Sequence, residues 1–204
     1  MIDFKKSLHI VLFSLIVSGC SLQTSVPAAS KYMLTVNVKS DVVATSNFSE
    51  KVVRIGQMES STILNSRSIY YDTDEGRSYS YTKARWMESI PKQLTSLLML
   101  SVTKTEIFKD VLPSRSLAKN DLILESSIYT FSQTIHEVGT STLQITMKVR
   151  LVEQYSRNII ASKLFEFKED GVSGDSEGVV TGYNMLTTKL LEAINRWLEV
   201  SCHK

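Results

Sequence analysis

The stretch 141-STLQITMKVRLVEQ-154 alternates apolar and polar side chains along its whole length. One set of side chains is apolar and is expected to face a core: Leu143, Ile145, Met147, Val149 and Leu151. The other set is polar and is expected to face water: Gln144, Thr146, Lys148 and Arg150. A repeat of two residues with one polar side is typical of a strand in an antiparallel sheet with one solvated face. This stretch therefore predicts the centre of a sheet.

The segments on either side of this strand extend the sheet and add helices. Further strands are predicted at 121–133 and 159–168, at 31–39, 51–58 and 106–112, and in a hairpin of 68–71 with 77–81 around a loop at 72–76. Helical spacing predicts a helix at 88–102, with Pro91 in its first turn. A final helix follows the loop 170–177, with Asp175 or Ser176 as its cap. Its apolar stripe consists of Tyr183, Leu186, Leu190, Ile194, Trp197 and Leu198. We therefore expect an α+β fold: a two-layer sandwich with a mostly antiparallel sheet of about six strands and two amphipathic helices packed on one face.

The N-terminus has the features of a secretory signal. Lys5 and Lys6 precede an apolar run at 8–17, which is about half the ~20 residues that a membrane-spanning helix needs. The run ends in Val17-Ser18-Gly19-Cys20, which resembles the lipobox of bacterial lipoproteins. This resemblance implies a signal peptide at 1–19, lipid attachment at Cys20 through acyl chains such as palmitate, and a tether at 20–30. The alternative is an ordinary signal peptide with a chance cysteine.

The residue after the cysteine bears on location. Ser21 is not the aspartate that retains many lipoproteins in the inner membrane. In a Gram-negative cell this favours the inner leaflet of the outer membrane, with the body of the protein facing the periplasm.

Composition limits the remainder to a single predicted domain at 31–204. The formal charge of +2 falls to about +1 without the signal peptide, which speaks against nucleic acid as a partner. With Cys20 lipidated, Cys202 is the other cysteine of the chain, so an intramolecular disulfide is not expected. Cys202 is then either an ordinary tail residue or a thiol for an intermolecular bridge.

One segment resembles a known family. The pattern Tyr81-x₃-Arg85-Trp86-x-Glu88-x₂-Pro91-x₂-Leu94 is similar to the most characteristic segment of the ABC-type transport auxiliary lipoproteins of the paraquat-inducible protein C type. Supporting features occur in the family's order: Tyr32 and Leu34, then Val52, Arg54 and Ile55, then Ser66, Arg67, Ile69 and Tyr70. The chain departs from the family in its last helix, which has Thr181, Thr187 and Thr188 where alanines are common. It also has Met147 and Val149 in the late strands, where a second tryptophan is common.

The resemblance implies a non-enzymatic periplasmic lipoprotein that is accessory to an ABC-type lipid transport system. In such systems, mammalian-cell-entry (MCE) domain proteins form a conduit across the envelope. The resemblance implies that the accessory lipoprotein docks to this conduit at the outer membrane, with a homo-oligomer as a possible form. Two alternatives stay open: a stand-alone lipid carrier, and an envelope-structural or surface lipoprotein.

The residues themselves offer little for catalysis or metal binding. The three histidines are His9 in the signal, His136 in a turn and His203 at the end, so neither a His-rich metal site nor a cofactor beyond the covalent lipid is expected. Asp72, Asp74 and Gly76 resemble the opening of an EF-hand loop but lack its later ligands, which favours a hairpin turn. The segment 173–178 fits a capped helix start better than a phosphate-binding loop. We expect no enzymatic activity.

A candidate working surface lies just ahead of the first helix. Tyr79, Tyr81, Arg85 and Trp86 combine the side-chain types that dominate interface hot spots, and they are the candidate contacts for a partner or a lipid. The alternative is that Trp86 packs under the sheet edge as a core residue. The stripe of the final helix is likewise interpreted as core, with a lipid groove between helix and sheet as the alternative.

Overall fold

The structure, a computed structural model, describes residues 28–37, 46–137 and 139–202. The predicted signal peptide, Cys20 and most of the tether lie outside these residues. The strands are β1 (Ser30–Tyr32), β2 (Val52–Ile55), β3 (Glu59–Ser60), β4 (Ser68–Thr73), β5 (Ser78–Trp86), β6 (Asp110–Leu112), β7 (Leu122–Ile135), β8 (Thr140–Glu153) and β9 (Ile159–Ser173). The helices are α1 (Ile90–Thr103) and α2 (Ser176–Cys202), with a short 3₁₀ helix at Thr62–Asn65.

Strands β7, β8 and β9 form an antiparallel meander at the centre of the fold. The apolar side of the β8 alternation is confirmed, because its five predicted core side chains are almost fully buried. On the polar side Thr146 is buried and the other three side chains are half-buried, so the prediction that this whole set faces water is wrong. Strand β9 continues to Ser173, so the prediction of a loop from residue 170 is wrong at its start. Gly171 adopts a positive φ of 74° where the pairing with β8 shifts register, and this irregularity lets the strand run on.

In the described residues the sheet is mixed and has nine strands, so the prediction of a simple two-layer sandwich with a mostly antiparallel sheet of about six strands is wrong. The second edge of β7 pairs in parallel with β2, β3 and β4 in turn. Beyond them, β6 adds in parallel to β2, β5 pairs antiparallel with β4, and β1 adds in parallel to β5. The strands of two to four residues form because distant segments of the chain pair with them. The local periodicity of the sequence does not predict which segments pair.

The two helices and the sheet share one apolar core, so the α+β class is confirmed. Helix α2 begins at the predicted cap: the Asp175 carboxylate accepts the backbone N–H groups of Glu177 (3.0 Å) and Gly178 (2.8 Å). The Gly178 N–H bond lowers the pKa of the Asp175 carboxyl below its usual value, which keeps the cap ionised. Helix α2 packs closely on β8 at Gly182, because a Cβ there would come within 2.5 Å of the Leu143 side chain.

Candidate functional site: a pocket beside a break in the sheet

Trp86 lies in the core at the end of β5. Its side chain is 2% exposed and packs edge-to-face on Phe131 (ring centroids 6.3 Å apart) and on Tyr183 (6.2 Å). The rings of Phe131 and Tyr183 stack on each other at 3.9 Å. These three rings join β5, β7 and α2. Trp86 therefore contributes packing and offers almost no surface to a partner.

Arg85, by contrast, is exposed. Successive side chains of a strand point to opposite sides, so the burial of Trp86 turns Arg85 outward. Arg85 lies opposite Ser68 of β4 on one side and Lys31 of β1 on the other. The structure therefore separates the predicted Arg–Trp pair into one exposed cation and one buried ring.

Tyr79 and Tyr81 share one face of the hairpin, as the sequence predicts, because both rings contact Tyr71. The Tyr71 ring centroid lies 5.7 Å from that of Tyr79 and 5.1 Å from that of Tyr81. Tyr79 is 44% exposed. The hydroxyl of Tyr81 lies 3.1 Å from Gln133 Oε1 and 2.9 Å from the Gly174 carbonyl oxygen. Burial raises the pKa of this hydroxyl, so it stays protonated and donates. Tyr81 thus links the hairpin to the start of α2, whereas Tyr79 remains available at the surface.

A break in pairing lies on the edge of β7 that faces away from β8. Strand β3 pairs with Ser127 and Ile128, and β4 pairs with Thr134 and Ile135, which leaves residues 129–133 without a strand partner on this edge in the described part of the chain. Tyr129 forms a bulge here, because Ile128 pairs with Met147 while Thr130 pairs with Thr146. The extra residue reverses which side chains face inward: even positions before the bulge and odd positions after it.

A pocket of about 220 Å³ occupies this break. Its apolar part includes the rings of Trp86, Phe131 and Tyr183. The polar part is lined by Asp72, by Gln133 and by hydroxyl-bearing side chains: Ser61, Ser66, Ser68, Tyr70, Ser78, Tyr129, Thr130 and Ser132. The lining resembles a small-molecule site in having an apolar part with several polar groups, but its volume is below the roughly 300–1,000 Å³ of usual ligand pockets. Sequence reasoning missed this pocket: the interrupted alternation at Tyr129 indicates the bulge beside it, but not the missing strand partner that opens it.

His136 belongs to a hydrogen-bonded network across one end of the sheet. Its Nδ1 lies 2.8 Å from Asp74 Oδ1, and its Nε2 lies 2.9 Å from Thr142 Oγ1. The Thr142 hydroxyl donates to the Asp170 carboxylate at 2.6 Å, and this bond lowers the pKa of Asp170. His136, which the sequence places in a turn, thus connects the β4–β5 hairpin to the meander through hydrogen bonds.

The suspected EF-hand opening is a hairpin turn. Gly76 adopts a positive φ of 74°, and its N–H donates to the Thr73 carbonyl oxygen at 2.8 Å. Asp72 and Asp74 bond to Ser78 and His136 respectively. Within 28–37, 46–137 and 139–202, no three histidine, cysteine or acidic side chains group in a way that could hold a metal ion.

Cys202 is the last residue of α2 and is fully buried. Burial raises the pKa of its thiol to about 12. Its backbone carbonyl oxygen accepts the N–H of Asn47 at 3.2 Å. The thiol is therefore part of the packed domain and is not accessible for an intermolecular bridge in this conformation.

Solved structures with the same fold exist. A protein of the DUF330 family from Xanthomonas campestris is 16% identical, with 85% of this chain and 96% of that chain covered and a TM-score of 0.75. An uncharacterised protein is 14% identical, with 84% and 99% covered and a TM-score of 0.64. A hypothetical protein from Chlamydia trachomatis is 10% identical, with 76% and 99% covered and a TM-score of 0.52. At these identities the likeness establishes the fold alone.

The sequence itself places the chain in a family. No curated protein matches it. The model of the ABC-type transport auxiliary lipoprotein component matches residues 32–195, which is most of the chain and includes the segment from Tyr81 to Leu94. In the described part of the chain, neither helix is sufficiently long and apolar to cross a bilayer. A lipoprotein family indicates an envelope location. The chain belongs to the ABC-type transport auxiliary lipoprotein component family.

Proposed function

We propose that this protein is a non-enzymatic, lipid-anchored accessory subunit of an ABC-type lipid transport system. It is held by acyl chains on Cys20 in the inner leaflet of the outer membrane and docks from there onto an MCE-domain conduit in the periplasm. The observation that carries the proposal is the family match over residues 32–195. The lipobox-like segment at 17–20 supports the anchor.

The tyrosine face of the β4–β5 hairpin is the docking contact that we propose for the conduit. Tyr71 and Tyr79 stack there, and their rings are partly exposed. A rigid pair of tyrosines offers a large contact area with few rotatable bonds, which is why tyrosine is common among interface hot spots. Tyr81 fixes the hairpin to the rest of the fold, because its hydroxyl contacts Gln133 and Gly174.

The test is affinity purification of the full-length lipidated protein from membranes in mild detergent, with mass spectrometry of the proteins and lipids that co-purify. Trp86→Ala is a poor probe of docking because the ring is buried. Tyr79→Ala removes the exposed ring instead, and Tyr155→Ala on the β8–β9 turn is a matched control, since Tyr155 is 76% exposed. We expect Tyr79→Ala to weaken recovery of an MCE-domain protein by about 30-fold, as for a typical hot spot.

Three outcomes would contradict the proposal. If the wild-type protein recovers no MCE-domain protein, docking is refuted. If both tyrosine variants behave alike, docking does not use this face. If protease removes the protein from intact cells, it lies on the cell surface and the envelope-structural alternative is favoured.

The carrier alternative draws support from the apolar part of the pocket beside the break. Stoichiometric phospholipid that co-purifies without a transport partner would favour it over docking. The pocket volume of about 220 Å³ is small for this role. A carrier would therefore require the pocket to widen.

A further inference from the structure

Two adjacent strands carry matching tripeptides in register. Lys31-Tyr32 ends β1 and is followed by Met33, and Arg85-Trp86 ends β5 and is followed by Met87, with Lys31 opposite Arg85 and Tyr32 opposite Trp86. The pairing continues past the strands, since the Met87 N–H donates to the Tyr32 carbonyl oxygen at 2.7 Å. In both tripeptides an exposed cation comes first, an aromatic residue packed into or against the core second, and a half-exposed methionine third. We call the four outer side chains, Lys31, Met33, Arg85 and Met87, the cation–methionine surface.

The two cations of this surface are exposed and lie opposite each other on neighbouring strands. Like charges directly opposite each other on neighbouring strands destabilise a sheet. Neither Lys31 nor Arg85 forms an ion pair with a carboxylate of the described residues. The nearby Glu88 carboxylate is instead bonded to Lys92 at 2.9 Å. An external anion would relieve this repulsion.

The methionines add an apolar component at the same place. Met33 is 50% exposed and Met87 is 47% exposed. Met33 also lines a largely apolar recess of about 230 Å³ against Leu97 of α1. Cations beside flexible apolar side chains suit a bilayer interface, where headgroup phosphates lie next to acyl chains.

The path of the chain brings this surface close to the predicted anchor. The described residues begin at Ala28, three positions before Lys31, and Cys20 is eight positions before Ala28. Eight residues span at most about 28 Å when fully extended. The tether thus enters the domain on the strand that carries half of the surface.

We propose that the cation–methionine surface rests on the anionic phospholipid bilayer that holds the anchor. Lys31 and Arg85 contact headgroup phosphates, and Met33 and Met87 enter the upper acyl region. Each cation near an anionic leaflet favours association by a factor of about five. The domain then has a fixed orientation at the membrane and does not rotate freely on its tether. This inference rests on the acyl anchor of the proposed function.

A fluorescent probe near the surface tests this orientation. The full-length lipidated protein carrying Met87→Cys is labelled with an environment-sensitive dye and reconstituted into vesicles of phosphatidylethanolamine and phosphatidylglycerol (7:3). Leu117→Cys is the matched control, because Leu117 is fully exposed in a different loop. Cys202 does not compete for the label, since it is buried and its thiol has a pKa of about 12.

We expect a blue-shifted emission for the label at position 87 and at least two-fold stronger quenching by spin-labelled lipid than at position 117. The double variant Lys31→Glu/Arg85→Glu, or vesicles of phosphatidylcholine alone, should remove the difference. Equal quenching at the two positions, or quenching unaffected by the charge reversal, would overturn the proposal. A label at position 87 that stays in water on vesicles would point to a protein partner instead, and it too counts against a bilayer.

Failure of this inference is distinguishable from failure of the proposed function. Intact mass spectrometry of the purified protein reports acylation directly, and a protein without acyl chains refutes both the anchor and the bilayer contact. An acylated protein that recovers its transport partner but shows no quenching difference refutes the bilayer contact alone.

Discussion

Replacing Trp86 by alanine removes the ring that joins β5, β7 and α2. The side chain is 2% exposed and contacts both Phe131 and Tyr183 edge-to-face. Truncation of a buried tryptophan costs about 3–5 kcal/mol from lost transfer free energy and the cavity left behind. Each aromatic pair contributes about 0.5–1.5 kcal/mol beyond its buried area. We therefore expect Trp86→Ala to lower the free energy of unfolding by about 3–5 kcal/mol. That is a large part of the roughly 5–15 kcal/mol that stabilises a typical domain.

Urea unfolding of the full-length protein in mild detergent, monitored by circular dichroism, measures this loss. Trp86→Phe keeps one ring and should lose less than Trp86→Ala. Met87→Ala changes the next, half-exposed residue and should stay within about 0.5 kcal/mol of wild type. A loss below about 1 kcal/mol for Trp86→Ala, with an unchanged slope of the free energy of unfolding against urea concentration, would refute the packing of Trp86 on Phe131 and Tyr183.

Three further changes test other parts of the core. Thr187 is fully buried and its hydroxyl has no hydrogen-bond partner among the described residues, so Thr187→Val should raise the thermal midpoint, with a gain of about 1 kcal/mol; a lower midpoint would indicate an unseen partner. Gln93 Oε1 accepts the buried N–H of Leu34 at 2.7 Å, so Gln93→Leu should cost about 1–3 kcal/mol in denaturant titration, whereas an unchanged midpoint would mean that this N–H finds another acceptor. With its pKa raised to about 12, the Cys202 thiol is ionised in only about one molecule in ten thousand at pH 8, so a colorimetric thiol reagent should react only after urea is added; rapid reaction of the folded protein would contradict the burial.

The long elements of the fold are predictable because their own side chains carry the pattern. The alternation from Leu143 to Leu151 defines β8, and the apolar stripe from Tyr183 to Leu198 defines α2. The capping role of Asp175 is likewise predictable, because it depends only on residues within three positions of it. In each case the period of the residues matches the period of the structure, so the sequence alone is enough.

The sheet order and the pocket depend on distant pairing and are not predictable in this way. The two residues of β3 are a strand only because Ser127 and Ile128 lie beside them. The bulge at Tyr129 reverses the inward side of β7, so a single period cannot describe that strand. The pocket arises where pairing stops, and local sequence does not state where a partner strand is missing.

The candidate residues divide in a similar way. Period two separates Arg85 from Trp86, and this much follows from their adjacency. The contact of Tyr71 with both Tyr79 and Tyr81 requires the hairpin to close, which the loop at 72–76 predicts. The position of Lys31 opposite Arg85 depends on a parallel pairing between segments more than fifty residues apart, and the sequence gives no sign of it.

The parallel docking of β4 on β7 has a mechanical consequence. A pull on the predicted anchor would enter the domain at β1 and pass through β5 and β4 before it reached the meander. Strand β4 meets β7 only at Asp72 and Thr73, next to the break in pairing, whereas β7 and β8 are paired along nearly their whole length. Few backbone hydrogen bonds share the load at this junction, so the Tyr81–Gln133 hydrogen bond and the packing of Trp86 on Phe131 would carry part of the tension beside the pocket. Under the proposed anchoring at Cys20, movement of the envelope would pull on β1 and load this junction beside the pocket.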